Sequence, residues 1–169
     1  MFDFRPAVTE DLPQIKSMYQ EIIKKLDEDN IQFWDDFYPC EFFEADIRNN
    51  RLYVLLDENR IISAFALNVI NEGENAVEWS YQGDRVLYLD RFGVNVKYAG
   101  LGIGSFMLQK AKETAKVMGA ECLRLFVVDF NTPAINLYIK NGFSRACGIF
   151  NNVIDDDLVL HEYGYEIKL

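Results

Sequence analysis

A chain of 169 residues, half of them hydrophobic and 14% aromatic, is sized for one domain with a substantial core. Its 27 acidic residues against 17 basic ones leave a formal net charge of −10, which repels phosphate backbones and anionic lipid heads, so no nucleic-acid or membrane partner is expected. No apolar run is long enough to span a bilayer, and the start Met1–Asp11 has neither a basic leader nor an apolar signal segment, which makes a soluble, cytoplasmic protein the expectation. Cys40, Cys122 and Cys147 are odd in number and widely spaced, which points to ordinary reduced thiols rather than a disulfide framework or a thiolate zinc site.

Thr9 is placed to cap a helix whose apolar positions Leu12, Ile15, Met18, Ile22 and Leu26 recur every three or four residues, ending near Asp29-Asn30. A shorter helix is predicted after Pro39, through Phe42, Phe43, Asp46 and Ile47. Arg51 to Leu56 and Ile61 to Val69 read as antiparallel strands joined by the turn Asp57-Glu58-Asn59-Arg60, and Asn71 to Asn75 as a loop. A strand from about Arg85 to Val94 follows, its alternation putting Tyr88, Asp90, Phe92 and Val94 on one face. Gly102 to about Met118 is helical, with Leu108, Ala111, Ala115 and Met118 facing inward. Cys122 to Val128 is a short apolar run suited to a central strand buried on both faces. Pro133 opens another helix that Asn141-Gly142 ends, and Leu158 to Leu169 alternates as a strand. The sum is an α/β chain, mixed α+β, with the strands in one sheet and helices on its faces.

The informative segment is Val94 to Ser105, where a strand meets a helix through Ala99-Gly100-Leu101-Gly102-Ile103-Gly104. Glycine admits positive φ and close approach of a ligand, and the first N–H groups of a helix lack internal partners and carry partial positive charge, an arrangement suited to phosphate. Gly104-Ser105-Phe106 lacks the lysine of a nucleotide-hydrolase loop, and neither Gly100 nor Gly102 begins a G-x-G-x-x-G dinucleotide fingerprint.

These glycines resemble the Arg/Gln-x-x-Gly-x-Gly/Ala turn of the GNAT superfamily of acyl-CoA-dependent N-acetyltransferases, with Ala99 standing where Arg or Gln is usual. A second segment, Asn131 to Phe143, resembles that family's N-x-x-A-x-x-x-Y-x-x-x-G-F signature, and the two occur in the family's order. The resemblance implies a central mixed, twisted sheet splayed near its middle and flanked by helices, forming a single N-acetyltransferase domain over residues 1–169. It implies acetyl-CoA as co-substrate with no metal. Ala99, Gly100, Leu101, Gly102, Ile103, Gly104 and Ser105 then hold the coenzyme diphosphate, together with Phe92 and Val94 on the strand entering the turn. Asn131 and Asn136 then bond the pantetheine region, although Asn131 also suits a helix cap.

An amine that attacks the thioester directly must arrive neutral, and an alkylammonium pKa of about 10.4 calls for a general base near neutral pH. Tyr138 matches the tyrosine that serves the departing sulfur in the family. Asp90, a charge in an apolar strand, is a candidate base and equally a structural hydrogen-bond acceptor, with Glu78 the weaker alternative. The cluster Phe33 to Pro39 falls where the family's acceptor wall lies; Trp34 and Trp79 are candidate contacts to a small-molecule or peptide amine through cation–π attraction. His161 is the only histidine and has no ligand spacing around it, so a core or surface role is expected. Family members pair through sheet edges, which leaves a homodimer open. The rival reading is a catalytically inactive acyl-CoA sensor or partner-binding module.

Overall fold

Apolar alternation resolves into ten strands and four α-helices in a computed structural model that describes residues 1–169. The chain divides into two units, Met1–Leu67 with Arg91–Gln109, and Asn68–Asp90 with Lys110–Leu169.

In the first unit, β1 (Phe2–Pro6), β2 (Leu52–Asp57) and β3 (Arg60–Asn68) form an antiparallel run, joined at β2–β3 by a tight turn with Glu58 at positive φ. Strand β1 was not predicted, because Phe2-Asp3-Phe4-Arg5 is half-exposed and too short to signal by pattern. Helix α1 (Leu12–Glu28) buries Ile15, Met18, Tyr19, Ile22 and Ile23, and α2 (Phe43–Arg48) buries Phe43 against Tyr19, ring centroids 4.6 Å apart. These side chains pack with Leu52, Val54, Ala64 and Ala66 into one core, where the 3.6-residue and two-residue periods meet. The expected Thr9 cap is not formed. Thr9 lies in a 3-10 turn, and the buried Asp11 carboxylate instead accepts the Val8 N–H at 2.8 Å and a two-pronged Arg5 guanidinium at 2.7 and 2.9 Å. Strand β5 (Val86–Val94) enters this unit with its last four residues, where the Ser63 hydroxyl donates to the Gly93 carbonyl at 2.7 Å.

The second unit holds the earlier part of β5, the later part of α3 (Ile103–Val117), β6 (Cys122–Val128), α4 (Thr132–Lys140) and β10 (Leu158–Lys168). β6 and β10 pair antiparallel over seven residues, from Glu162↔Val128 to Lys168↔Cys122. The short strands β7 (Ser144–Arg145) and β9 (Phe150–Asp155) also pair with β10, while β4 (Val77–Glu78) and β8 (Cys147–Gly148) form a separate two-stranded ladder. Hydrogen-bonded order in the eight-stranded sheet is β1-β2-β3-β5-β6-β10-β7, with β9 on β10. This is the expected mixed α/β sheet. The parallel β5–β6 ladder contains three pairs, Val86↔Cys122 to Tyr88↔Arg124, and both strands continue past its end, which is the expected splay.

Two expectations of facing are corrected. Met118 is 48% exposed because α3 stops at Val117, and Met107 takes the inward place instead. The alternation along β5 breaks at Arg91, which is left-handed at φ +52°, so residues on either side of it do not share one face by simple parity.

Candidate active site

The glycine turn lies in the first unit. Asn95, buried, ends β5 by accepting the Lys97 N–H at 3.0 Å on its side chain and donating its own N–H to the Ile62 carbonyl at 2.8 Å. A 3-10 turn, Val96–Tyr98, follows, and the Tyr98 hydroxyl donates to Asp57 at 2.9 Å, tying the turn to the β2–β3 hairpin. Gly100 and Gly102 then adopt φ of +75° and +82°, and a Cβ on either would meet no atom within 4 Å. These two positions need glycine for the conformation, not for want of space. The N–H groups between 99 and 105 are not all open, as the sequence suggested: those of Ala99 and Leu101 donate at 3.3 Å to the carbonyls of Val96 and Tyr98. The first helical bond of α3 runs from the Phe106 N–H to the Gly102 carbonyl at 3.0 Å, so Gly102, Ile103 and Gly104 present their N–H groups ahead of the helical ladder. Ile103 is buried and anchors the helix start, whereas Ala99, Gly100, Leu101 and Gly102 are exposed; Phe92, Val94 and Ser105 are half-buried.

Tyr138 and Asp90 both belong to the second unit. The Asn131 side chain caps α4, accepting the Ala134 N–H at 3.4 Å, with Pro133 in the first turn. Tyr138 is buried on that helix against Phe143 and Tyr165, ring centroids 5.9 and 6.5 Å away; Asn136 is exposed. Burial, and then the negative charge of Asp90, push the Tyr138 phenol well above its ordinary range. Asp90 Oδ2 accepts from the Asn68 amide at 2.5 Å and Oδ1 from the Asn71 amide at 3.5 Å.

Glu162, which sequence reasoning missed, completes this cluster. It is half-buried on β10, and its Oε1 accepts from the Asn152 amide at 3.0 Å. Burial pushes its carboxyl above the usual carboxylate range, the Asn152 hydrogen bond pulls it back, and the Asp90 charge raises it further.

The other candidates have evident structural partners. Trp34 is half-buried against Tyr19 at 5.5 Å and Phe33 at 5.1 Å in the first unit. Trp79 is buried in the second unit. Its indole N–H donates to the Glu74 carbonyl at 2.8 Å, its ring meets Phe126 edge-on, and the Arg124 guanidinium lies 4.4 Å from its centroid. Arg124 interrupts the apolar run of β6. It donates to the Tyr81 carbonyl at 2.7 Å and sits 3.5 Å from Glu166, an ion-pair distance without hydrogen-bond geometry. Glu78 is exposed, and His161 is exposed with its Nδ1 2.6 Å from the Asn151 side-chain oxygen. Burial pushes the Cys122 thiol up to about 11, which disfavours a nucleophilic thiolate.

The model of the Acetyltransferase (GNAT) family matches residues 15–143, which takes in both the glycine turn and the Asn131–Phe143 segment. The chain belongs to the GNAT acetyltransferase family. The GNAT relative "Putative phosphinothricin acetyltransferase YwnH" of Bacillus subtilis (strain 168) is 28% identical over 117 residues, 69% of this chain and 67% of that one. Thialysine N-epsilon-acetyltransferase of Bos taurus is 37% identical over 70 residues, 41% of each chain, so this match spans less than half of that relative. Among solved structures, a GNAT acetyltransferase from Streptococcus agalactiae 2603 has a TM-score of 0.80 at 20% identity, covering 99% of this chain and 95% of that one. The structure of yncA from Salmonella typhimurium, described as a "putative ACETYLTRANSFERASE" with its cofactor acetyl-CoA, has a TM-score of 0.68 at 16% identity, covering 99% and 94%. These structural likenesses establish the GNAT fold. No helix of this GNAT chain is long and apolar enough to cross a membrane.

Proposed function

We propose that the protein transfers an acetyl group from acetyl-CoA to a primary amine, by direct attack within a ternary complex and without a metal. The observation that carries this reading is the turn at Gly100 and Gly102, whose positive φ values open a helix start toward unfilled space. A single acetyltransferase domain over residues 1–169 is part of the reading, supported by a family match that draws on residues of both units. The bovine relative is named for acetylating an ε-nitrogen, which favours an amine acceptor.

The residues divide the work by chemistry. The N–H groups of Gly102, Ile103 and Gly104 face the diphosphate, and Ala99, lacking the family's side chain, leaves that task to the main chain. A carboxylate of the Asp90 cluster receives the acceptor's ammonium and takes its proton. Nitrogen then attacks the carbonyl carbon, the C–N bond forms, the C–S bond breaks and sulfur leaves with the electron pair. Tyr138 remains a neutral phenol at any working pH and donates its O–H to that sulfur. An ordinary phenol is already about 1.5 pKa units less acidic than a thiol, so this O–H acts by hydrogen bonding and yields its proton only as it is replaced.

The test has two parts. Acetyl-CoA is expected to raise the melting temperature, and free thiol to be released only when an amine is present. Tyr138→Phe is expected to lower kcat by about 10²-fold while calorimetric affinity for acetyl-CoA stays within a factor of two or so. Thermal stabilisation without thiol release across a broad amine panel would favour an acyl-CoA sensor; no stabilisation would defeat both readings.

A further inference from the structure

We infer that Glu162 takes the proton from the acceptor's ammonium, with the Asp90 carboxylate, anchored by the Asn68 and Asn71 amides, as its acidic neighbour. The inference rests on the N-acetyltransferase reading above and names its base.

The strand geometry brings the two carboxylates together. The β5–β6 ladder ends at Tyr88↔Arg124. Asp90 lies two residues further along β5, and Val128, the residue opposite Glu162, lies at the end of β6. Both carboxylates therefore stand beyond the last parallel pair, where β5 and β6 no longer bond to each other.

The faces of the sheet separate acceptor from donor. Directly paired residues of antiparallel strands share a face, so Glu162 with Val128, Gly164 with Phe126 and Glu166 with Arg124 lie on one side. Trp79 packs on that side, so close to Gly164 that a Cβ there would lie 2.8 Å from its ring. Tyr165, one position out of phase, faces the other side, and Tyr138 packs on it. The reaction moves protons at two atoms, nitrogen and sulfur, and the second unit offers an acceptor on one face and an O–H donor on the other.

The hydrogen bonds separate the roles of the carboxylates. Both oxygens of Asp90 are engaged by side-chain amides, whereas Asn152 engages Oε1 of Glu162 and leaves Oε2 for a proton. Of the elements packed around Glu162, β6 presents Val128 and β9 presents Phe150 and Asn152, all uncharged, and β5 presents Asp90. Its neighbour His161 is turned to Asn151. Burial, and then the negative charge of Asp90, hold the Glu162 carboxyl above the usual carboxylate range. Asp90 is held by two amides, while Glu162 keeps one oxygen for a proton, so the geometry gives the proton-carrying role to Glu162.

The step balances without a further reactant. The acceptor R–NH3⁺ loses one proton to Glu162 Oε2 and a second as the amide forms. One proton ends on the coenzyme sulfur beside Tyr138, and the other passes from Glu162 to solvent.

Two measurements test this. First, Glu162 is followed by carbon NMR of labelled glutamate carboxyls: it is expected to titrate above about 4.3, the ordinary glutamate value, and to move down in Asp90→Asn. Second, kcat/KM is measured against pH with acetyl-CoA and a series of primary amines of differing pKa. Glu162→Gln is expected to lower kcat by about 10²-fold or more without weakening acetyl-CoA binding. Asp90→Asn is expected to shift the acidic limb of the profile downward, by an amount that does not follow the amine. Loss of fold is distinguishable. A carboxyl raised in the folded state contributes stability below its unfolded pKa and loses it as pH rises through the folded value, so Glu162→Gln should melt no lower than wild type at pH 8. The inference is overturned if Glu162→Gln turns over within about threefold of wild type, or if Glu162 titrates at the ordinary value and ignores Asp90→Asn. A wild-type protein that binds acetyl-CoA and acetylates none of the amines overturns the enzyme reading itself, and this inference with it.

Discussion

Gly102 separates two uses of glycine in this chain. At Gly164 the constraint is space, because Trp79 fills the position a side chain would take. At Gly102 a Cβ would meet nothing within 4 Å, and the constraint is the backbone, held at φ +82°. An L-residue in that conformation costs about 1–2 kcal/mol, so Gly102→Ala should lower stability by about that amount in urea unfolding. The added methyl also projects into the open side of the turn, ahead of the helix N–H groups offered to the diphosphate. Calorimetry should therefore record acetyl-CoA affinity reduced by about tenfold or more, a larger loss than strain on the free protein would produce. Equal affinity for the variant would mean that the diphosphate does not approach this peptide.

At the scale of elements, the signals that survived into structure are the ones local periodicity carries. Helix α1 was legible because Ile15, Met18 and Ile22 recur on one stripe, and β10 because its alternation runs for a full eleven residues. The turn and Tyr138 were legible because glycine spacing and the Asn131–Phe143 segment are compact. What pairing alone creates was hidden. The strands β4, β7 and β8 are two residues each, and Glu162 sits in an alternating tail where nothing local distinguishes it from Glu166. Tertiary bonds also overrode the pattern in β5: the left-handed Arg91 spans to Asp46 on α2 at 2.7 and 2.9 Å, and the Tyr19 hydroxyl donates to its carbonyl. Both charged side chains are more than nine-tenths buried, at 8% and 6% exposure. Removing one member leaves the other charge in the core without its ion-pair partner, which costs about 3–5 kcal/mol. Asp46→Ala should show that loss in urea unfolding, whereas Glu44→Ala, which frees the exposed Arg48, should cost under about 0.5 kcal/mol. Comparable losses for the two variants would mean that Arg91 finds another partner.

Over the whole molecule, charge sets a tension that the turn must overcome. The protein carries a net −10, and acetyl-CoA is itself polyanionic. Long-range forces between them are repulsive, while attraction at the turn is short-ranged, supplied by peptide N–H groups with no arginine at position 99 to help. The nearby Lys97 is exposed and lies 3.9 Å from Glu21, which offsets part of its charge. Screening shortens the reach of the repulsion to about 10 Å at 0.1 M salt, yet barely touches hydrogen bonds made at contact. The association rate for acetyl-CoA should therefore rise by roughly threefold or more between low and physiological salt, with the dissociation rate nearly constant; stopped-flow fluorescence reads both. A rate that falls with salt would reveal a cationic patch steering the coenzyme, and the recognition would then lie with lysine and arginine side chains rather than with the peptide groups of the glycine turn.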